Sequence, residues 1–149
     1  MLNVLVSFFR SRSAPPPLNV LVVDDEEPVR RFVSRVLTDA GLTVWPASDG
    51  VEALQLAPTI EPLDLLLTDL MMPSMNGDEL ARRLRTREPD LRVLYLTGFS
   101  DQLFADQMTL SSNESFLDKP CSVKALLEAV SLRVTDHTSL AATPAITAG

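Results

Sequence analysis

Three carboxylates, one hydroxyl and one ammonium stand directly after four short apolar runs of the chain: Asp24-Asp25, Asp69, Thr97 and Lys119-Pro120. None of these groups is distinctive alone. In an open parallel sheet, however, residues at the carboxyl ends of the strands converge on one crevice, which would bring all of them together. Clustered carboxylates repel one another, so such a pocket is costly unless a hard divalent cation bridges them. Magnesium suits a small oxygen set, because it keeps several waters and takes one or two carboxylates plus phosphate oxygens. A metal and Lys119 would both neutralise charge on a transferred phosphoryl group, which makes phosphoryl transfer the leading reaction class.

The positioning elements can be read from hydrophobic period. Leu18–Val23, Leu63–Thr68 and Leu91–Leu96 are almost wholly apolar, as strands covered on both faces should be, and Ser115–Asp118 is a shorter fourth candidate. Leu42–Ala47 is a strand whose Pro46 argues for a sheet edge. Between them lie helical patterns. Glu27–Ala40 places Val29, Phe32, Val33, Val36 and Leu37 on one face, with Gly41 as the stop signal. Asp49 caps a helix to about Ala57, and Asn76 caps one through Arg87 that buries Leu80 and Leu84 and exposes Arg82, Arg83, Arg85 and Arg87. Ser100–Met108 is weakly patterned, with Leu103, Phe104 and Met108 as its apolar positions; Ser122–Val134 repeats Val123, Leu126, Leu127, Val130 and Val134 at helical spacing. Five βα units of this kind imply an α/β fold with a doubly wound parallel sheet.

Composition narrows the classes. A chain of 149 residues with 46% apolar side chains suits one compact domain. The formal net charge of −7 opposes phosphate backbones, so no direct nucleic-acid partner is expected. Cys121 is the single cysteine and cannot form an internal disulfide, and a cytoplasmic location follows by default. The apolar start MLNVLVSFF is too short to span a bilayer and lacks a basic leader, so no membrane association is expected. Residues 1–17, with their Pro15-Pro16-Pro17 run, are expected to be an extension and linker, 18–134 the folded domain, and 135–149 a flexible tail. The string LNVLV occurs at residues 2–6 and again at 18–22; the first copy is read as a coincidental or duplicated leader, with addition to a sheet edge or exchange with a neighbouring molecule as the sharper hypothesis.

The pieces VVDDEEPVR, LLLTDLMMPSMNGDEL, VLYLTG and FLDKP, in this order, resemble a response-regulator receiver domain, the phosphoacceptor module of two-component signalling. The resemblance covers residues 18–134 and implies a (βα)5 flavodoxin-like fold with strand order 2-1-3-4-5. It further implies that Asp69 accepts phosphate from a histidine kinase or histidine phosphotransfer protein. Asp24 and Asp25 would organise Mg2+, with the main-chain carbonyl of Met71 as a further ligand. Thr97 would bond a phosphoryl oxygen, Lys119 would pair with another, and Phe116 would be the aromatic switch that turns inward as Thr97 moves. Lys119-Pro120 is where the family often has a cis peptide. Arg30, Arg31 and Arg35 are secondary candidates for kinase docking.

Plainer roles compete with these. Alone, Asp24-Asp25 would cap a helix; Thr97 and Lys119 would be an ordinary strand-end hydroxyl and a solvated charge. Pro73 and Gly77 shape a loop and a helix start, Met75 packs, Cys121 is a half-buried thiol, and His137 in the tail is no phosphodonor. Met71 and Phe99, each two residues past a site residue, are apolar where water-positioning groups occur in other members, which predicts slow phosphate loss. A haloacid-dehalogenase-like phosphatase is disfavoured, because its nucleophile motif is Asp-x-Asp whereas Asp24 and Asp25 are adjacent. The same fold could also serve as a phosphate sink, a phosphorelay intermediate or an unphosphorylated binding module. No effector region is read after Val134, so the expected output is a downstream protein target, a relay step or a homodimer.

Overall fold

The computed structural model describes residues 17–132. Five strands form one parallel sheet: β1 Asn19–Val23, β2 Thr43–Ala47, β3 Leu65–Asp69, β4 Arg92–Thr97 and β5 Glu114–Asp118. Their order is β2-β1-β3-β4-β5, and every pairing is parallel. Helices α1 Glu27–Asp39, α2 Gly50–Leu56, α3 Gly77–Leu84 and α4 Gln102–Asp106 alternate with the strands, and residues 123–132 form α5. The fold is the doubly wound parallel sheet that the periodicity implies, with the flavodoxin-like strand order that the resemblance implies.

Two apolar cores flank the sheet because alternate strand residues face opposite sides. One joins Leu21, Val23, Leu66, Val93 and Tyr95 with Ala53, Leu80 and Leu84. The other joins Val20, Val22, Leu65, Leu67, Leu94 and Leu96 with Val33, Leu37, Leu126 and Val130. β1, β3 and β4 are thus covered on both faces, which explains their unbroken apolar runs. Pro46 lies in β2 at the sheet edge, as its missing N–H requires.

Local signals mostly match the elements. The Asp49 side chain accepts from the Glu52 N–H at 2.8 Å and caps α2, and Gly41 ends α1 with φ of +97°, a conformation glycine adopts without steric cost. Several boundaries differ. β3 and β4 begin two residues and one residue later than their apolar runs, so Asp69 and Thr97 are the last residues of their strands rather than the residues beyond them. Asn76 precedes α3 but its side chain makes no capping bond, and the helix ends at Leu84. Phe32, placed on the apolar face of α1, is 39% exposed. Val123 of α5 is also exposed. The weak Ser100–Met108 pattern resolves into one 3-10 turn, Phe99–Asp101, and the short α4, whose Leu103 faces solvent.

Arg85 corrects a further expectation. It is not a solvated charge: Nη1 donates to Glu114 at 2.6 Å and Nη2 to the Leu91 carbonyl and to Asn113, while Tyr95 donates its hydroxyl to the same Glu114 carboxylate at 3.1 Å. This network ties the end of α3 to β4 and β5. Among the described residues no helix is long and apolar enough to cross a membrane. Residues 1–16 and 133–149, and with them the first LNVLV copy, His137 and the end of the last helical pattern, lie outside the described residues.

Candidate phosphoacceptor site

The acids are positioned by two neighbouring strands in register, Val23 against Thr68. Asp24 follows β1 and is fully buried; its Oδ1 accepts from the Glu26 N–H at 2.9 Å, and its own carbonyl accepts from Arg30 Nη1 at 2.7 Å. Asp25 is exposed at the rim. Asp69 ends β3, buried, with Oδ1 accepting from the Leu70 N–H at 2.9 Å. One carboxylate oxygen from each of Asp24, Asp25 and Asp69 lies within 4.8 Å of the others. The turn after β3 folds back closely: the Gly77 N–H donates to the Leu70 carbonyl at 2.6 Å, and a Cβ on Gly77 would sit 2.3 Å from the Asp69 carbonyl oxygen. Only glycine fits there. Met75, by contrast, is a packing residue, buried against Gly50.

Lys119 enters from the β5 side. Its ammonium lies 2.9 Å from Asp24 Oδ2, 3.1 Å from Glu26 Oε1 and 3.5 Å from Asp69 Oδ1. The Lys119–Pro120 peptide is cis, as is Glu61–Pro62. One cation among several acids leaves a charge deficit, and the titration behaviour reflects it. Burial, then the neighbouring Asp24 charge, push the Asp69 carboxyl up to about 7, with Lys119 opposing. Asp24 is also raised by burial, against the Glu26 N–H and Lys119. For Lys119, burial favours the neutral amine, but Asp24, Asp69 and Glu26 together outweigh it and hold the ammonium charged. An all-oxygen cluster of carboxylates, with Asp24 and Asp69 both raised by burial, is the donor set a hard divalent cation fits.

The remaining candidates are placed less uniformly. Thr97 is buried at the end of β4, but its hydroxyl donates to Asp118 Oδ1 at 3.0 Å. Phe116 is half-buried, its ring centroid 5.8 Å from that of Tyr95 on the same face of the sheet. Met71 lies in the turn after β3, with its side chain 44% exposed. Phe99 is 97% exposed in this conformation. Burial raises the Cys121 thiol, which argues against a reactive thiolate.

Three contributors are not among the residues the sequence suggested, and a fourth, Arg30, was suggested only for kinase docking. Glu26 contacts Lys119, Arg30 braces the acid turn, Asp118 engages Thr97, and buried Asp101 accepts from the Gly98 N–H at 2.7 Å. Glu26, Arg30 and Asp118 lie inside the quoted motif pieces and Asp101 shortly past one, and place in a motif cannot tell a contact from a bystander.

The model of the response regulator receiver domain matches residues 20–131. The chain belongs to the response regulator receiver domain family. This receiver is 37% identical over 112 residues to sensor kinase CckA of Brucella abortus (strain 2308), a match covering 74% of the chain and 12% of that protein. It is 33% identical over 111 residues to response regulator receiver protein CpdR of the same organism, covering 74% of the chain and 92% of CpdR. Among solved structures, the receiver domain of the hybrid histidine kinase CckA superposes with a TM-score of 0.66 at 30% identity, over 77% of this chain and 97% of that one. The receiver thus spans nearly all of one curated relative and a small fraction of another.

Proposed function

We propose that this receiver is a Mg2+-dependent phosphoacceptor that takes a phosphoryl group from a histidine kinase or histidine phosphotransfer protein onto Asp69. The observation that carries the reading is the convergence of Asp24, Asp25 and Asp69 within 4.8 Å, with the Lys119 ammonium 3.5 Å from Asp69. Likeness to the receiver of a hybrid histidine kinase supports this class of donor. A cytoplasmic setting follows, since such donors act there.

Asp69 is the nucleophile: one carboxylate oxygen bonds to phosphorus as the phosphorus–nitrogen bond to the donor imidazole breaks, and the imidazole keeps the electron pair. No general base is required, because the attacking group is the carboxylate anion: Mg2+ on these acids would favour that form, and the Asp69 proton would leave to solvent. Positioning and charge neutralisation therefore dominate. Mg2+, when bound, neutralises charge on the phosphoryl oxygens and on the acids that hold it. Asp24, Asp25, Asp69 and the Met71 carbonyl are its proposed ligands. Lys119 pairs with a phosphoryl oxygen, exchanging one of its present carboxylate contacts for it. Thr97 bonds another oxygen, and its movement lets the Phe116 ring turn inward, so that the surface around β4, α4 and β5 changes. The output is a changed contact with a downstream protein or a second copy of the chain.

Phosphotransfer profiling tests this reading. Label from autophosphorylated histidine kinases should move to the wild-type chain only when Mg2+ is present, and never to Asp69→Asn. Label retained by Asp69→Asn would overturn the assignment.

A further inference from the structure

The Thr97 hydroxyl has a partner already. It donates to Asp118 Oδ1 at 3.0 Å, and the two residues stand opposite one another in the β4–β5 register. The Lys119 N–H, one residue further on, donates to the Thr97 carbonyl at 2.8 Å, so the backbone fixes Asp118 beside Thr97. A hydroxyl carries one proton. While that proton is given to Asp118 it cannot be given to a phosphoryl oxygen, so the two acceptors compete.

We propose that Asp118 is a positioning residue that holds the Thr97 hydroxyl in a resting orientation and so sets the threshold for phosphoryl recognition. The inference rests on Asp69 being the phosphoacceptor. Threonine is branched at Cβ, so χ1 has few wells and Thr97 moves between discrete positions rather than drifting. Phe116 and Asp118 lie on one face of β5, two residues apart, which places the ring that responds to Thr97 next to the carboxylate that restrains it. Asp118 is exposed and Thr97 buried, so the bond spans the boundary between core and solvent and its strength is moderated by water. A restraint of that size tunes an equilibrium without locking it.

Removing Asp118 also removes a negative charge near an anion site, and the test must separate the two effects. Beryllofluoride with Mg2+ is titrated calorimetrically into the wild type, Asp118→Ala, Asp118→Asn, Thr97→Ala and the Thr97→Ala/Asp118→Ala pair. The expected result is that Asp118→Ala tightens binding by roughly three- to ten-fold. Asp118→Asn keeps an acceptor without the charge and should stay nearer the wild type. In the Thr97→Ala background, Asp118→Ala should tighten binding no more than Asp118→Asn does in the wild type. Equal tightening by Ala and Asn, or an Asp118→Ala effect undiminished in Thr97→Ala, would show that charge alone acts and would overturn the proposal. So would no tightening in Asp118→Ala. Asp118→Val, a better strand former, replaces Ala if that variant does not fold. If the wild type binds no beryllofluoride, the phosphoacceptor reading fails instead. The Thr97 methyl resonance in the unliganded proteins then still decides: it should shift in Asp118→Ala and stay in place in Asp118→Asn, and an unmoved resonance in Asp118→Ala defeats the latch.

Discussion

Asp69 holds its proton more tightly in the folded chain than in the unfolded one, and that has a measurable consequence. Its carboxyl is raised from 3.8 to about 7, so between those pH values the native state binds the proton that the unfolded state has released. Stability of the metal-free protein therefore falls as pH rises through this window and levels off above it. Asp69→Asn should flatten that slope and stabilise the metal-free chain at pH 8 by on the order of 2 kcal/mol, read by urea unfolding. An unchanged slope would show that the acidic strain resides elsewhere. At the same scale, Met71 and Phe99 separate. Phe99 is nearly fully exposed and Met71 only partly so, hence Met71→Asn should speed loss of the phosphoryl group several-fold while Phe99→Ala leaves the rate near the wild type, followed by decay of acetyl-phosphate-labelled protein. If Met71→Asn decays no faster, the turn after β3 does not govern water access.

At the scale of elements, the site depends on how tightly the turn after β3 closes against α3. A methyl group at Gly77 would meet the Asp69 carbonyl oxygen at 2.3 Å, a backbone atom that cannot step aside without moving Asp69 itself. Gly77→Ala is expected to lower stability by roughly 1–3 kcal/mol and to slow labelling of Asp69, measured by thermal unfolding and by acetyl phosphate incorporation. Normal labelling in a stable Gly77→Ala protein would mean that the turn adapts. Element types were legible from the chain because the strands of a doubly covered sheet are continuously apolar and α1 and α5 repeat at helical spacing. The boundaries were less so. Asp69 and Thr97 belong to their strands through ladder bonds that polar residues make as readily as apolar ones. Arg85 looked solvated from its helix position alone, since its partners Glu114 and Asn113 lie far along the chain and its side chain meets them only in the folded molecule. The weak pattern over Ser100–Met108 placed Phe104 and Met108 against the core, as found, but not Leu103, which faces solvent.

Across the whole molecule, the four motif clusters converge because parallel strands with right-handed crossovers put every carboxyl end on one side of the sheet. That convergence was legible from motif order. The state of the site was not. Thr97 bonds Asp118, and Lys119 bonds Asp24 and Glu26, so the groups proposed to hold a phosphoryl are engaged with carboxylates. A phosphoryl group with Mg2+ would exchange these contacts, and such an exchange couples a local mark to the surface of the domain. The most direct test of that account is intact-mass and peptide mass spectrometry after exposure to acetyl phosphate. The account predicts one added phosphoryl group, located on Asp69, dependent on Mg2+ and absent from Asp69→Asn. A chain that gains no phosphoryl group, or gains it on another residue, would contradict it.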